Sequence, residues 1–577
     1  MRQLVDSMSQ WGNPSDPNKP FAIRHKPVKS ALELQLKRML MKHLLTCMAL
    51  PLVLTACDQA SNSQQPSQPS YPVTKSPDWY QQGQAKVTQQ NQAWQNIQTE
   101  KGSAKNAIFF VGDGMGISTI TAARILAGQE RGQSGEEYNL SFDQFPFSGL
   151  SRTYNVDAQT PDSAGTMTAM ITGVKTDAGI ISINEKVQRG NCESSKGNEL
   201  ISALELAEMA GLSTGIVTTA RITHATPAAA YAKSPDRNWE DISDMPQEAI
   251  DAGCEDIASQ LIYFKDRVKQ RYGKDIDGIE VAFGGGRRHF LPKQAEFNSA
   301  DAQSDIEGDR TDGRHLIEEW QSLYPQGQYI IDENGLNTAN PKQTPILGLF
   351  NESHMHYHQD RHNDRSGEPS IELMTQKTIE ILSQNEKGYL LIVESGRIDH
   401  GHHAGNAYNA LHDTIALSKA VAQAQQQVDT KETLMMVTAD HSHVFTMAGY
   451  PKRGNPILGK VVTVGEDDIQ LADDGMPYTT LGYMNGRGMM HFGDETNAGL
   501  SYKNEINAGR HDLHDLDTTQ AGYHQEALVP LSSETHGGED VGIYAIGPGA
   551  HLVSGVHEQN VIFHILDHAL NLQTQRQ

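Results

Sequence analysis

Basic side chains are scarce in this chain of 577 residues: 47 lysines and arginines stand against 71 aspartates and glutamates, a formal net charge of −24. That balance excludes a general positive field able to hold nucleic acid. An anionic substrate must therefore meet local positive charge, and bound divalent cations supply it wherever a site is built of carboxylates. Cysteine is rare as well, with Cys47, Cys57, Cys192 and Cys254 the only four. The apolar stretch near the N-terminus, Leu44 to Leu54, is too short to span a bilayer permanently. Internal repeats are absent. The length itself permits a large core, in several domains or in one domain with insertions.

What is present begins with an export signal. Met41-Lys42-His43 precedes the apolar run, which ends in Leu54-Thr55-Ala56-Cys57, with small residues before the processing point. Leu-x-Ala-Cys resembles the lipobox of bacterial lipoproteins, in which the cysteine is lipidated and becomes the first residue of the mature protein. Cys57 is then a lipid anchor, and a plain secretory signal with an incidental cysteine is the alternative. Residues 1–38 lie ahead of this signal as a non-native or extended N-terminus, and residues 39–56 form the signal, with Met39 or Met41 as the start. Asp58 resembles the aspartate associated with inner-membrane retention of such lipoproteins. The expected location is the periplasmic face of a bacterial membrane, held there through the lipid anchor alone. In that oxidising compartment the remaining pair, Cys192 and Cys254, is expected to be bridged rather than catalytic. The loop closed, about 62 residues, corresponds to roughly 4 kcal/mol on the chain-entropy model.

Residues 57–75, rich in Ser, Gln and Pro, cannot fold by burial and read as a flexible tether. Residues 76–572 read as the main domain. It opens with a Gln-rich, helical Pro77–Thr99 stretch bearing Trp79, Tyr80 and Trp94, which suits docking on a partner subunit and packing on its own domain equally well. Beyond it, apolar runs at 107–111, 213–219, 389–393, 433–438 and 541–546 are predicted strands, and 119–126, 199–210, 371–384 and 407–426 predicted helices. This alternation predicts an α/β three-layer sandwich: a large, mostly parallel central β-sheet flanked by helices. Residues 452–523, rich in Gly, Asn and charge, read as an insertion on the functional rim.

Three of the predicted strands end in an acid, at Asp113, Glu394 and Asp440. Ligand sites of open α/β sheets lie outside the carboxyl ends of strands, so three segments deliver carboxylates to one crevice. A single such acid is as often a helix cap; three accompanied by histidines are not. Asp399-His400-Gly401-His402-His403 follows Glu394, and Asp440-His441-Ser442-His443 ends the next strand. Imidazole and carboxylate without thiolate suit zinc, with an all-oxygen position left for magnesium. His354, His356, His358 and His362 do not end a strand and are assigned to a solvated loop outside the site. Thr160-Pro161-Asp162-Ser163-Ala164-Gly165-Thr166 offers Ser163 as a nucleophile at a helix start, where an N-cap role is the competing reading.

Val111-Gly112-Asp113-Gly114-Met115-Gly116, Pro161-Asp162-Ser163-Ala164, the run from Glu394 to His403 and Thr535-His536-Gly537-Gly538-Glu539-Asp540 together resemble alkaline phosphatase across Pro77 to Leu572. The resemblance implies hydrolysis of phosphate monoesters through a phosphoserine on Ser163, at a site of two zinc ions and one magnesium ion. It implies Asp399, His403 and His536 as ligands of the first zinc, and Asp113, Asp440 and His441, with Ser163, as those of the second. Asp113 would bridge to magnesium, shared with Thr226 and Glu394. Arg237, in Ser234-Pro235-Asp236-Arg237, matches the arginine that grips phosphate, a task suited to a planar guanidinium. His224 and His400 resemble the animal-type branch of the family, His224 reaching magnesium through water and His400 lying near the phosphate; Asp162 and His443 stand behind these groups. That branch also carries the Cys192–Cys254 disulfide and a calcium site, of which Asp312 alone finds a match, so calcium is not carried over. A homodimer is implied too. The nearest alternative is a phosphodiesterase of the same superfamily, and a more distant one a non-catalytic periplasmic metal- or phosphate-binding lipoprotein. A sulfatase is excluded, because Ser163-Ala164-Gly165-Thr166-Met167 lacks the x-Pro-x-Arg its nucleophile requires.

Overall fold

The computed structural model of the chain describes residues 77–99, 103–494 and 505–573; the export signal, Cys57 and the whole tether lie outside them. Among the described residues no helix is long and apolar enough to cross a membrane. The strands, in chain order, are β1 Asn106–Gly112, β2 Phe147–Arg152, β3 Ser213–Arg221, β4 Val281–Gly285, β5 Gln328–Ile330, β6 Ile346–Leu349, β7 Tyr389–Ser395 and β8 Thr433–Ala439. After these come β9 Ser442–His443, β10 Phe445–Met447, β11 Leu481–Gly486, β12 Met490–His491, β13 Tyr523–His524, β14 Ala527–Pro530, β15 His536–Gly537, β16 Val541–Ile546 and β17 Gly555–Glu558.

Ten of them form one sheet, ordered β17-β2-β16-β8-β1-β7-β3-β4-β6-β5. Its central strands β8, β1, β7 and β3 are buried except at Asn106 and Arg221, because helices cover both faces. β1 alternates between the two cores, Phe109 and Val111 entering one and Ile108 and Phe110 the other, as a two-residue side-chain period requires. All neighbours run parallel except β16, which is antiparallel to both β8 and β2. The predicted runs lie within β1, β3, β7, β8 and β16. β4 (VAFGG) and β6 (ILGL) escaped the sequence reading because four or five residues interrupted by glycine carry little period. The helix predicted from 199 begins at Ala203, where Ser202 and Glu205 form a reciprocal capping box.

Register places the site. Gly112 is level with Ser395 on β7 and with Ala439 on β8, so Asp113, Glu394 and Asp440 emerge together at the carboxyl end. The 452–523 segment carries β11 and β12; β11 joins β10 and β14, which flank it, in a separate three-stranded sheet. Cys192 and Cys254 are bonded, S–S 2.13 Å, within a small core containing Trp239, Met245 and Ala249.

Candidate active site

Ser163 opens the buried helix Ser163–Thr172, but it is not the cap. Asp162 takes that role, its side chain accepting from Gly165 N at 3.0 Å, which leaves the Ser163 hydroxyl free for other partners. Ser163 Oγ lies 3.1 Å from His441 Nε2 and 3.4 Å from Asp113 Oδ1. The same His441 Nε2 is 3.3 Å from both Asp113 Oδ1 and Asp440 Oδ2. His441 Nδ1 faces the Ser442 carbonyl at 3.2 Å, so the proton sits there and Nε2 turns a lone pair toward two carboxylates.

A second convergence lies at Asp399. His403 Nε2, His443 Nε2 and His536 Nε2 approach its Oδ1 at 3.3, 2.8 and 3.5 Å. His403 donates through Nδ1 to the Glu534 carbonyl at 2.6 Å and His536 to the Pro161 carbonyl at 2.7 Å. Both therefore present bare Nε2 atoms, 3.1 Å apart. The third group is Asp113, Glu394 and His224, whose ligating atoms lie within 4.8 Å of one another. Asp113 Oδ2 and Glu394 Oε1 are buried there without a hydrogen bond, and the Thr226 hydroxyl faces Glu394.

Electrostatics make the same demand. Burial, with Asp440, Asp399 and Glu394 close by, pushes the Asp113 carboxyl well above its ordinary range. Burial and neighbouring carboxylates raise Glu394 to about 7. Burial holds His403 down to about 4 and His441 well below its usual value, as neutral ligands need. Buried acceptors facing acceptors are costly unless a cation stands between them. All three groups thus fit divalent metals, two with imidazole and carboxylate and one richer in oxygen.

Arg237 is held beside this centre from two sides. Its guanidinium donates to Asp162 Oδ2 at 3.0 Å and meets His224 Nε2 at 3.0 Å. His400 packs 5.7 Å from His224, centroid to centroid. His354 is a correction: far from a solvated loop, its ring lies 4.1 Å from that of His400 and is gripped by Arg221. His356 also leaves solvent for the buried Glu368 carboxylate, at 3.0 Å. Asp312 is taken up by Arg310, at 3.1 and 2.6 Å.

Three supporting residues carried no signal in the sequence. Glu534 Oε2 meets His443 Nδ1 at 2.6 Å, and His443 in turn meets Asp399. Burial opposes charge on His443, yet Glu534 and Asp399 outweigh it and push its pKa up to about 10. Thr218 donates to Glu394 Oε2. Asn485, on β11, pairs with both the backbone N–H and the hydroxyl of Thr535, at 3.0 and 2.9 Å, and so steadies the turn that carries His536.

Residues 104–572 match the profile of the family described as Alkaline phosphatase. The chain belongs to the alkaline phosphatase family. It is 42% identical over 470 residues to the human tissue-nonspecific isozyme of alkaline phosphatase, a match covering 81% of this chain and 83% of that one. Against the alkaline phosphatase of Gadus morhua the identity is 42% over 478 residues, covering 82% and 93%. The crystal structure of Thermus thermophilus alkaline phosphatase shares the fold, with TM-score 0.56 at 22% identity, covering 82% of this chain and 94% of that one. As an alkaline phosphatase the chain is a phosphomonoesterase, and its buried acceptors surround a serine at the carboxyl end of the family's sheet.

Proposed function

We propose that this alkaline phosphatase hydrolyses phosphate monoesters through a phosphoserine on Ser163, with two zinc ions and one magnesium ion in the three acceptor groups. The observation that carries the reading is the convergence of Ser163 Oγ, His441 Nε2 and Asp113 Oδ1 within 3.1–3.4 Å. Asp399, His403 and His536 would hold one zinc, Asp113, Asp440 and His441 the other, and Asp113, Thr226 and Glu394 the magnesium. When bound, these ions supply the positive charge that draws in the dianionic ester and lowers the pKa of a neighbouring hydroxyl.

Ser163 Oγ then attacks phosphorus, the bond from phosphorus to the ester oxygen breaks, and the alcohol departs. Water attacks the phosphoserine in the second step, releasing inorganic phosphate and restoring the hydroxyl. Two in-line displacements retain configuration at phosphorus. Arg237, aimed by Asp162 and His224, takes two non-bridging oxygens in its fork. Burial and Arg237 keep His224 neutral, with its pKa pushed down to about 3, so it accepts from Arg237 and adds no competing charge.

The finer setting is part of the proposal. Cys57 as lipid anchor would tether the enzyme to the periplasmic face of a bacterial membrane. A homodimer is favoured by the exposed Trp79, Tyr80, Val87 and Trp94 on the helix Pro77–Thr99 and by the exposed Met447, Met484, Leu528 and Val529 on the small sheet, an apolar load that one copy leaves wet. Sedimentation of the mature chain tests the dimer.

The deciding experiment compares p-nitrophenyl phosphate with bis-p-nitrophenyl phosphate near pH 9, with zinc and magnesium, before and after chelation. Chelator-sensitive monoester turnover is expected. Preference for the diester, or metal binding with neither activity, overturns the reading.

A further inference from the structure

Arg189 lies outside every motif that the sequence offers, yet its guanidinium forks onto Asp236, the neighbour of Arg237, with Nε at 3.2 Å from Oδ2 and NH2 at 3.0 Å from Oδ1. The adjoining Gly190 N–H donates to the Pro235 carbonyl at 2.9 Å. Beneath the guanidinium is Gly179, in a left-handed conformation with φ +80°, and a Cβ there would fall 2.3 Å from Arg189 Cζ. Gly179 faces the other way as well. Its carbonyl accepts from Arg237 N–H at 2.8 Å, and its own N–H bonds to Asp162, the carboxylate that aims the Arg237 side chain. One peptide layer thus separates Arg189 from the Asp162–Arg237 pair.

The segment needs such a clamp. Residues 234–237 form no helix and no strand of the sheet, so nothing regular fixes their backbone. Ser234 Oγ braces it from within, accepting from Asp236 N–H at 3.3 Å and donating to the Asp236 carbonyl at 2.7 Å, and apart from the Arg237 side chain four contacts tie it to other segments: the Ile181–Ser234 bridge, Gly190 to Pro235, Gly179 to Arg237, and Arg189 to Asp236. Three of these are backbone to backbone, and the fourth is the one that depends on a side chain. Arg189 is 43% and Asp236 19% exposed in their side chains, so the pair adds little to global stability. A bidentate fork fixes direction, however, and phosphate recognition by a guanidinium is lost with small displacements.

We propose that Arg189 is a positioning residue for Arg237, acting through Asp236 and Gly179; this rests on the phosphate-holding role proposed above for Arg237. Arg189 touches neither the reacting phosphorus nor a metal ligand. It holds the loop that presents Arg237, and it closes over the one residue that both Asp162 and Arg237 use as a backbone partner.

The test is a double-mutant cycle in the full metal-loaded enzyme, reading the inhibition constant of inorganic phosphate and the KM and kcat for p-nitrophenyl phosphate. Arg189→Met is expected to weaken phosphate inhibition roughly three- to tenfold, with Tm nearly unmoved, and Arg189→Lys to fall between it and wild type. In an Arg237→Ala background, Arg189→Met should add nothing further. Phosphate inhibition within twofold of wild type in Arg189→Met, alongside a large loss in Arg237→Ala, overturns the inference and leaves the role of Arg237 standing. Full additivity of the two substitutions also overturns it. An Arg237→Ala enzyme with unchanged phosphate inhibition sinks the underlying reading instead. Should Arg189→Met fail to fold, Asp236→Asn removes the same fork and is read in the same way.

Discussion

His403 and His536 confront each other through their Nε2 atoms at 3.1 Å, each having committed its Nδ1 proton to a backbone carbonyl. Neither nitrogen has a proton to offer the other, and Asp399 Oδ1 closes the triangle at 3.3 and 3.5 Å. Three lone pairs at one point repel unless a cation joins them, and a cation bound there would contribute to the folding free energy.

Chelation is therefore expected to destabilise the fold as well as stop turnover. At a metal concentration 100-fold above Kd, each occupied site adds about 2.7 kcal/mol. Calorimetry should show the transition falling on chelation and recovering on return of zinc and magnesium. A transition that ignores the chelator while the metal is verifiably gone would refute the account of these groups.

Glu534 orients two histidines at once, His443 through its carboxylate and His403 through its carbonyl. Glu534→Gln leaves the carbonyl in place and weakens only the contact to His443. Groups behind a ligand typically account for 10- to 100-fold in metal affinity. Competition with a zinc chelator should show a loss of that order for one zinc per chain, the second zinc being little changed.

Asp162 both caps the helix of Ser163 and holds Arg237. Asp162→Asn can keep the cap and loses the charge. Asp162→Ala loses both, and the missing cap alone costs about 1 kcal/mol. The asparagine variant should thus weaken phosphate binding at near-normal urea midpoint, whereas the alanine variant should show both defects. Equal destabilisation in the two would mean that charge, not capping, stabilises this helix start.

Far from the site, burial lifts Glu280 to about 7, and burial with Glu280 beside it lifts Glu208 well above its usual range. A carboxyl raised in the folded state binds more protons there than in the unfolded chain. Its contribution is thus most favourable below the unfolded value of 4.5 and is lost as pH rises to about 7. For Glu280 alone the loss is on the order of 3 kcal/mol. Glu280→Gln should flatten this fall: urea midpoints of metal-saturated protein, taken from pH 5 to 8, should converge on wild type at the acid end and exceed it at the alkaline end. Parallel curves would contradict the assignment.

The sequence by itself determined the elements that bear the chemistry. Apolar runs such as 107–111 and 433–438 can be satisfied only as buried strands, and the acids that end them must leave at the carboxyl edge. The cluster from Glu394 to His403 is local, so its spacing alone suffices to read it. Tertiary structure decided everything that depends on strand order and register across hundreds of residues. It brought Glu534 behind His443, set Thr218 on Glu394, and drew His354 from a stretch that reads as loop into contact with His400. It made Asp162, not Ser163, the helix cap, and it laid Arg189 over Gly179. No period of two or 3.6 residues encodes such pairings, because they follow from which segments the sheet makes neighbours rather than from anything either segment carries alone.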